Sequence, residues 1–371
     1  MPMRRHSGDF HELVKKGTML KLYDYTGVIH FHSEYSFDGR IPVGDIIRAA
    51  RENSINFLML TDHSCLDARK NGMEGWNDGV LLVVGQEITP RFNHYIAFGI
   101  DEPLVVGEED ESIPPQSYID KVRRMGGIGF MSHPDHEGTE MFHVKHFPWV
   151  DWTVSGYTGI GIWDFMTDWQ STLTNYPKAL CSYLFPALFL RGPRSVTLKR
   201  WDNLNQQSKI IGIGELDNHD TLKRIFGLNL SVFPFGKAFR FIRTHILTDE
   251  PFKKDDRRDI ELLFESLKKG RAYIAMEYFR EAKGFLFFIS DESVGATMGD
   301  EFHLKRNAAI HVKVPEKGKI RVVKNGHTFQ ENVSDVLECT IDKKGIYRAE
   351  VYLKRWGRYR PWIFSNPIYV K

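Results

Sequence analysis

The chain has 371 residues, 42% hydrophobic and 26% charged, which is ample for a sizeable core and ordinary for a soluble protein. With 50 lysines and arginines against 48 acids the net charge is +2, so there is no global electrostatic case for nucleic acid or an anionic membrane. Three cysteines, Cys65, Cys181 and Cys339, are far apart and odd in number, which argues against a disulfide framework and suits a reducing cytoplasm.

Residues 1–25 are polar at the start, lack the apolar core of a signal peptide, and read as a leader that is partly helical at best. The first strand is expected at 27–33, where β-branched Val28 and Ile29 lead into His30-Phe31-His32-Ser33. Side chains two apart on a strand share a face, so His30 and His32 project together, a spacing that suits one metal ion. A polar loop, 34–40, carries Asp38 and Arg40. Pro42 opens a helix with Ile46, Ile47 and Ala50 on one face. The apolar run 55–60 ends in Thr61-Asp62-His63, and the run 79–85 ends in Gln86-Glu87. Arg91 follows, then a strand at 94–99 that begins with His94.

An acidic loop, 101–114, precedes a helix that stops at Gly126 and Gly127. The short strand 128–131 runs into Ser132-His133-Pro134. Residues 135–158, with His136, His143 and His146, read as a polar insertion near the mouth of the fold. A strand at 160–163 ends at Asp164, and 166–205 is helical and aromatic-rich. The run 209–214 leads into Glu215-Leu216-Asp217-Asn218-His219. An amphipathic helix over 255–269 is closed by Gly270. Beyond about residue 284 short alternating runs and the turn Asn325-Gly326 mark an all-β module of sandwich type. The longest apolar stretch, 179–190, contains Pro186 and is too short to span a bilayer.

Alternating strands and helices over roughly 250 residues argue an α/β fold, a parallel barrel or sheet with helices outside. In such folds chemistry sits at strand C-terminal ends. The nitrogen and oxygen donors found there are His30, His32, Asp38, His63, Glu87, His94, His133, Asp217 and His219. The absence of thiolate suits Zn, Mn or Fe with an open coordination position. Nine donors are too many for one ion, so two or three divalent metal ions are expected. Taken singly, each donor has a plainer reading as a buried, hydrogen-bonded side chain.

The motifs His30-Phe31-His32-Ser33, Thr61-Asp62-His63, Gly85-Gln86-Glu87, Ser132-His133-Pro134 and Asp217-Asn218-His219 occur in an order that resembles the PHP (polymerase and histidinol phosphatase) superfamily. The resemblance implies a distorted (β/α)7 barrel over 26–284, followed by the β module at 285–371. It implies that His30, His32, Glu87 and Asp217 hold a first ion, and that Glu87 bridges to a second with His94 and His133. Asp38, His63 and His219 would hold a third, with Asp62 orienting a ligand histidine. Glu87, Asp217 and His219 are the expected catalytic residues, and Arg40 and Arg91 are candidates for substrate phosphate, although a solvated arginine is the plainer reading.

The activity implied is metal-dependent hydrolysis of a small phosphomonoester or phosphodiester by a metal-bridging hydroxide. A carboxyl or carbamate ester hydrolase on the same barrel is one alternative. A binding or scaffold protein with an idle barrel is the other. The expected partner is a small phosphorylated molecule, with neither nucleic acid nor membrane.

Overall fold

A computed structural model of the chain describes residues 9–13, 20–225, 228–291 and 295–371. Much of the expected leader, 1–8 and 14–19, lies outside the described residues. The first long strand nevertheless starts well before the expected position, as β1 (Leu20–Ile29), and pairs with a short strand at Asp9–Leu13. It follows that β1 extends into the stretch read as a leader.

The strands that position the site are β1, β2 (Phe57–His63), β3 (Val80–Ile88), β4 (Tyr95–Phe98), β5 (Ile128–Met131), β6 (Gly159–Asp164) and β7 (Ile211–Glu215). Pairing is parallel from β1 to β2 to β3 and from β5 to β6 to β7. Strand β4 runs antiparallel to both β3 and β5, which departs from an all-parallel arrangement. Its cause is the short link between Ile88 and Tyr95, since a parallel crossover needs about a dozen residues or more. The path closes where the chain just past β7 bonds to the end of β1: Leu216 N–H to Ile29 O at 3.0 Å, Asp217 N–H to His30 O at 2.7 Å, and His32 N–H to Asn218 O at 3.0 Å.

These strands are buried on both faces. Ile29, Phe57, Met59, Leu81, Val83, Ile96, Phe130 and Ile213 pack together inside the ring, joined by Leu263 and Leu267. Their alternating neighbours, including Val28, Leu58, Leu60, Leu82 and Ile160, pack outward in a core shared with helix α1 (Val43–Glu52), which buries Val43, Ile46, Ile47 and Ala50. This double burial explains why the runs read as continuous apolar segments. The helix α2 (Pro115–Arg124) buries Tyr118, Ile119 and Val122. After β6 come the helices α3 (Phe165–Gln170) and α4 (Tyr176–Leu184).

Strands β8 (Ile242–Thr248) and β9 (Ala272–Met276) flank helix α5 (Asp256–Lys269), which is capped by Asp255 and ended by Gly270 at φ 77°. The module beyond is built on β10 (Ala309–Lys324), β11 (His327–Thr340), β12 (Gly345–Arg355) and β13 (Arg358–Ser365). The β10–β11 turn uses Asn325 and Gly326 at φ 49° and 81°, the left-handed pair a two-residue hairpin requires. The alternating runs at 309–314 and 320–324, which read as two short strands, are a single long β10 with a register irregularity between Lys313 and Gly318.

The β module is tied into the ring rather than hung from it. Strand β13 pairs with β9, and the Asn366 amide bonds to Gly212 and Ala272. A buried ion pair joins Arg348 to Asp202 at 2.7 and 2.8 Å. Its core takes Leu22, Leu247, Tyr273 and Ala275 from the ring side together with Phe287, Ile310, Tyr347 and Trp362. Among the described residues no helix is long and apolar enough to cross a membrane.

Candidate metal centre

Seven of the nine donors lie at or just beyond strand ends, Asp38 is in the loop before α1 and His94 immediately precedes β4, and backbone conformation aims several of them. Strict alternation would send His30 outward, because Ile29 packs inside the ring. His30 instead adopts φ 67°, which resets the alternation. Phe31 then packs in the outer core while His30 and His32 are both fully buried at the site. His133 (φ 28°) and Asp217 (φ 51°) are also left-handed. Non-glycine residues in this region cost on the order of 1–3 kcal/mol each and persist where surrounding structure holds them. The β7–β1 stitches described above hold two of the three.

Three groups of donors emerge, each with all its ligand atoms within 4.8 Å of one another: His30, His32, Glu87 and Asp217; Glu87, His94 and His133; and His32, Asp38, His63 and His219. Glu87 belongs to two groups and His32 to two, so the groups form one continuous cluster. Glu87 ends the fully buried strand β3 and lies 3.1–3.5 Å from nitrogens of His30, His32, His63, His94 and His133. Asp38 reaches His63 and His219 at 3.4 and 3.1 Å.

A test of fit for a cation comes from the unsatisfied atoms. The buried nitrogens His30 Nε2, His32 Nε2, His63 Nδ1 and His94 Nε2 have no hydrogen-bond partner. His30 Nε2 and His32 Nε2 nonetheless sit 3.3–3.5 Å from oxygens of Glu87 and Asp217. Two ligands bound at about 2.1 Å to one tetrahedral ion are about 3.4 Å apart. Lone pairs facing each other at that spacing, buried and unbonded, are what a cation would satisfy. The donor set fits divalent metal.

Residues 29–126 match the family model described as the PHP domain. Over that stretch the chain is similar to the PHP domain. A curated relative, an uncharacterized protein of Methanocaldococcus jannaschii, is 23% identical over 147 residues, covering 32% of this chain and 81% of that protein. A solved two-domain protein from Bacteroides vulgatus, containing a predicted PHP-like metal-dependent phosphoesterase, is 14% identical with a TM-score of 0.42, covering 93% of this chain and 95% of that one. A candidate metal-dependent phosphoesterase from Bifidobacterium adolescentis is also 14% identical, with a TM-score of 0.34, covering 55% and 92%.

The electrostatics of the site are set by carboxylates among crowded imidazoles. Burial works against charge on His133, but Glu87 outweighs it and lifts the imidazole to about 9. Burial likewise opposes His219, and Asp38 lifts it to about 9. His32 goes the other way, to about 3, through burial and the neighbouring His219 and His63 rings. Its ring stacks on His219 at 3.9 Å and on His63 at 4.4 Å. Burial resists ionisation of Glu87, Asp38 and Asp217, yet the histidines hold all three below the ordinary carboxylate range.

Glu215 is the residue that sequence reasoning missed. It is fully buried, lies 3.1 Å from His30 Nδ1 through Oε1, and accepts the His133 backbone N–H at 2.9 Å through Oε2. It thus fixes the ring of one donor and the backbone of another. Space for it exists because Gly161 faces it: a Cβ there would lie 1.5 Å from Glu215 Oε2. A glutamate and a facing glycine two strands' sequence apart are a signal legible only once β6 and β7 are paired.

Other expectations place differently. Asp62 contacts no ligand histidine through a hydrogen bond; it accepts from the Ser33 backbone N–H at 2.6 Å and the Ser33 hydroxyl at 2.7 Å. It therefore secures the loop after His32. Arg40 donates to the Asp220 backbone and carboxylate at 2.7 and 2.6 Å. Arg91 donates to the His146 carbonyl and lies over Phe92. Both guanidiniums are thus engaged with protein groups. The insertion packs beside the site through Phe147, whose ring lies 4.9 Å from His94, and His136, which bonds to Gln170. Cys65 is half-buried and its thiol is pushed up by burial, which fits a packing role.

Asp164 ends β6 and caps α3, accepting from Thr167 N–H at 2.5 Å through Oδ1. Its Oδ2 is buried without a partner. Burial, reinforced by Asp217 and Glu215, pushes this acid up to about 7. It borders a recess shared with His133, Thr167, Arg194 and Thr197.

Proposed function

We propose that this PHP-like chain is a metal-dependent hydrolase of a small phosphoester, mono- or diester. The carrying observation is the overlap of three donor groups through Glu87 and His32, with buried, unbonded imidazole nitrogens among them. Under this reading His30, His32, Glu87 and Asp217 hold one cation, Glu87, His94 and His133 a second, and Asp38, His63 and His219 a third. Bound divalent ions supply a nucleophilic water at neutral pH and offset charge on phosphoryl oxygens. We read the closed strand path as a distorted (β/α)7 barrel spanning about 26–284, with 285–371 as its β module.

The chain's own groups have distinct tasks in this scheme. Glu215 keeps the His30 ring and the His133 backbone in place. Asp62 holds Ser33 and so the exit of the His30–His32 segment. Asp164 keeps a proton near neutral pH at the edge of the recess, where it would donate to the leaving alkoxide. The recess beside His133 would receive the leaving group.

The test combines metal analysis of the purified protein with hydrolysis of p-nitrophenyl phosphate, bis-p-nitrophenyl phosphate and p-nitrophenyl acetate in added Mn²⁺. Stoichiometric metal and metal-dependent turnover of a phosphate ester support the proposal. Turnover of the acetate alone would move the reaction to carbonyl esters. A protein without stoichiometric metal would favour the scaffold reading.

A further inference from the structure

The net charge of +2 hides a local excess. Residues 169–201 contain five lysines and arginines and residues 221–248 another five, with no aspartate or glutamate in either stretch; Arg194 and Arg200 pair with Glu137 and Asp135 and Arg243 is buried, so the excess is carried by Lys178, Arg191, Lys199, Lys223, Lys237 and Arg240. With 50 cations and 48 acids in the whole chain, the remainder is net acidic. The two stretches pack against each other. Tyr183 donates its hydroxyl to the Ser231 carbonyl at 2.7 Å, and Lys237 donates to the Tyr183 carbonyl at 2.7 Å.

Helix α4, in the first stretch, is turned inside out. It buries only Ala179 and Ser182. Tyr176, Leu180 and Leu184 recur every four residues, share one face, and are 71%, 59% and 52% exposed. Phe185, at the helix end, is 58% exposed. On the second stretch Leu222 is 47% exposed beside the exposed Lys223, in a strand whose partner residue is Ser231. Large apolar side chains grouped on a surface mark an interaction site.

We propose that this face docks on an anionic lipid bilayer. Hydrocarbon-seeking leucines with aromatic flanks and lysines are the composition that binds at a charged membrane surface; the acids Glu137 and Glu140 border only the Tyr176 end, where Phe142 meets Tyr176. A second copy of the chain fits less well, because a two-fold contact would set this face against itself, cation against cation. Duplex or single-stranded nucleic acid would use the cations but gain nothing from a leucine ridge. The second stretch follows His219 directly, and the Ser231 hydroxyl donates to Asp220, so the docked face adjoins the donor cluster. Docking does not depend on which reaction the cluster performs.

The experiment is sedimentation of the full chain with phosphatidylcholine vesicles, with and without phosphatidylserine. Binding is expected only with phosphatidylserine and should weaken as salt rises. Lys223→Gln should weaken it about fivefold, the worth of one cation near such a surface. Leu180→Glu combined with Leu184→Glu should abolish it while the melting temperature is kept. No sedimentation, or equal sedimentation with phosphatidylcholine alone, overturns the proposal. So does a concentration-dependent dimer that the double glutamate variant dissolves, which would give the face to a second copy.

Discussion

Replacing Glu215 with alanine tests whether the donors depend on a residue that is not itself in the ligand groups. The change removes the acceptor 3.1 Å from His30 Nδ1 and the one 2.9 Å from the His133 backbone N–H. Each buried group left without its partner costs about 1–3 kcal/mol of stability. Loss of a residue that orients a ligand typically costs about 10–100-fold in metal affinity, or about 1.4–2.7 kcal/mol. Competition against a chromophoric chelator, using Zn²⁺ or Mn²⁺, reads the affinity, and circular dichroism melts read the stability. Glu215→Gln should fall between wild type and alanine, because an amide offers one acceptor oxygen where the carboxylate offers two. Gly161→Ala is the independent control. Its new Cβ would lie 1.5 Å from Glu215 Oε2 and must displace the carboxylate without altering its chemistry. If Glu215→Ala binds metal within about twofold of wild type, against the loss expected for an orienting residue, the argument that it positions His30 and His133 is refuted.

His32→Ala and Asp217→Ala should each abolish phosphoesterase activity while the far-ultraviolet dichroism is unchanged; full turnover in either variant would remove the cluster from the chemistry. Asp164→Asn should lower turnover by about 10²–10⁴-fold. In the wild type, turnover should decline as pH rises through about 7, where Asp164 loses its proton, and a pH–rate profile of the variant should lack that limb. Asp202→Ala leaves Arg348 buried with Glu350 as its remaining close carboxylate partner, so a loss of about 3 kcal/mol is expected by denaturant titration.

The site was more legible than its frame. Apolar runs that stop at a histidine or an acid are readable without coordinates, because burying such a group without a partner is costly. His30 and His32 do meet at the site, but past the end of β1 and through a left-handed backbone at His30, not through the strand period that suggested it. Glu215 was opaque for a simple reason: two residues before Asp217, it looks like one more acid at a run's end. Its meaning depends on Gly161, a contact between strands. Strand β4 was misjudged in direction because periodicity carries no orientation, whereas the short link from Ile88 to Tyr95 does. Asp62 was assigned to a histidine, yet in space the loop at Ser33 reaches it instead. The start of β1 escaped because its apolar alternation is broken by Asp24, a buried acid that accepts from Tyr273 and meets His245.

The pairing of β13 with β9 bears on how the molecule is made. Asn366 clamps Ala272 across 94 residues of sequence. On a ribosome, β9 emerges with one side paired to β8 and the other bare until β13 appears. A bare strand side is a template for foreign strands, so this interval is when newborn chains are open to aggregation. Fragments cut near residue 284 would keep that side bare permanently, and recombinant work on such a fragment should meet insolubility before it meets inactivity.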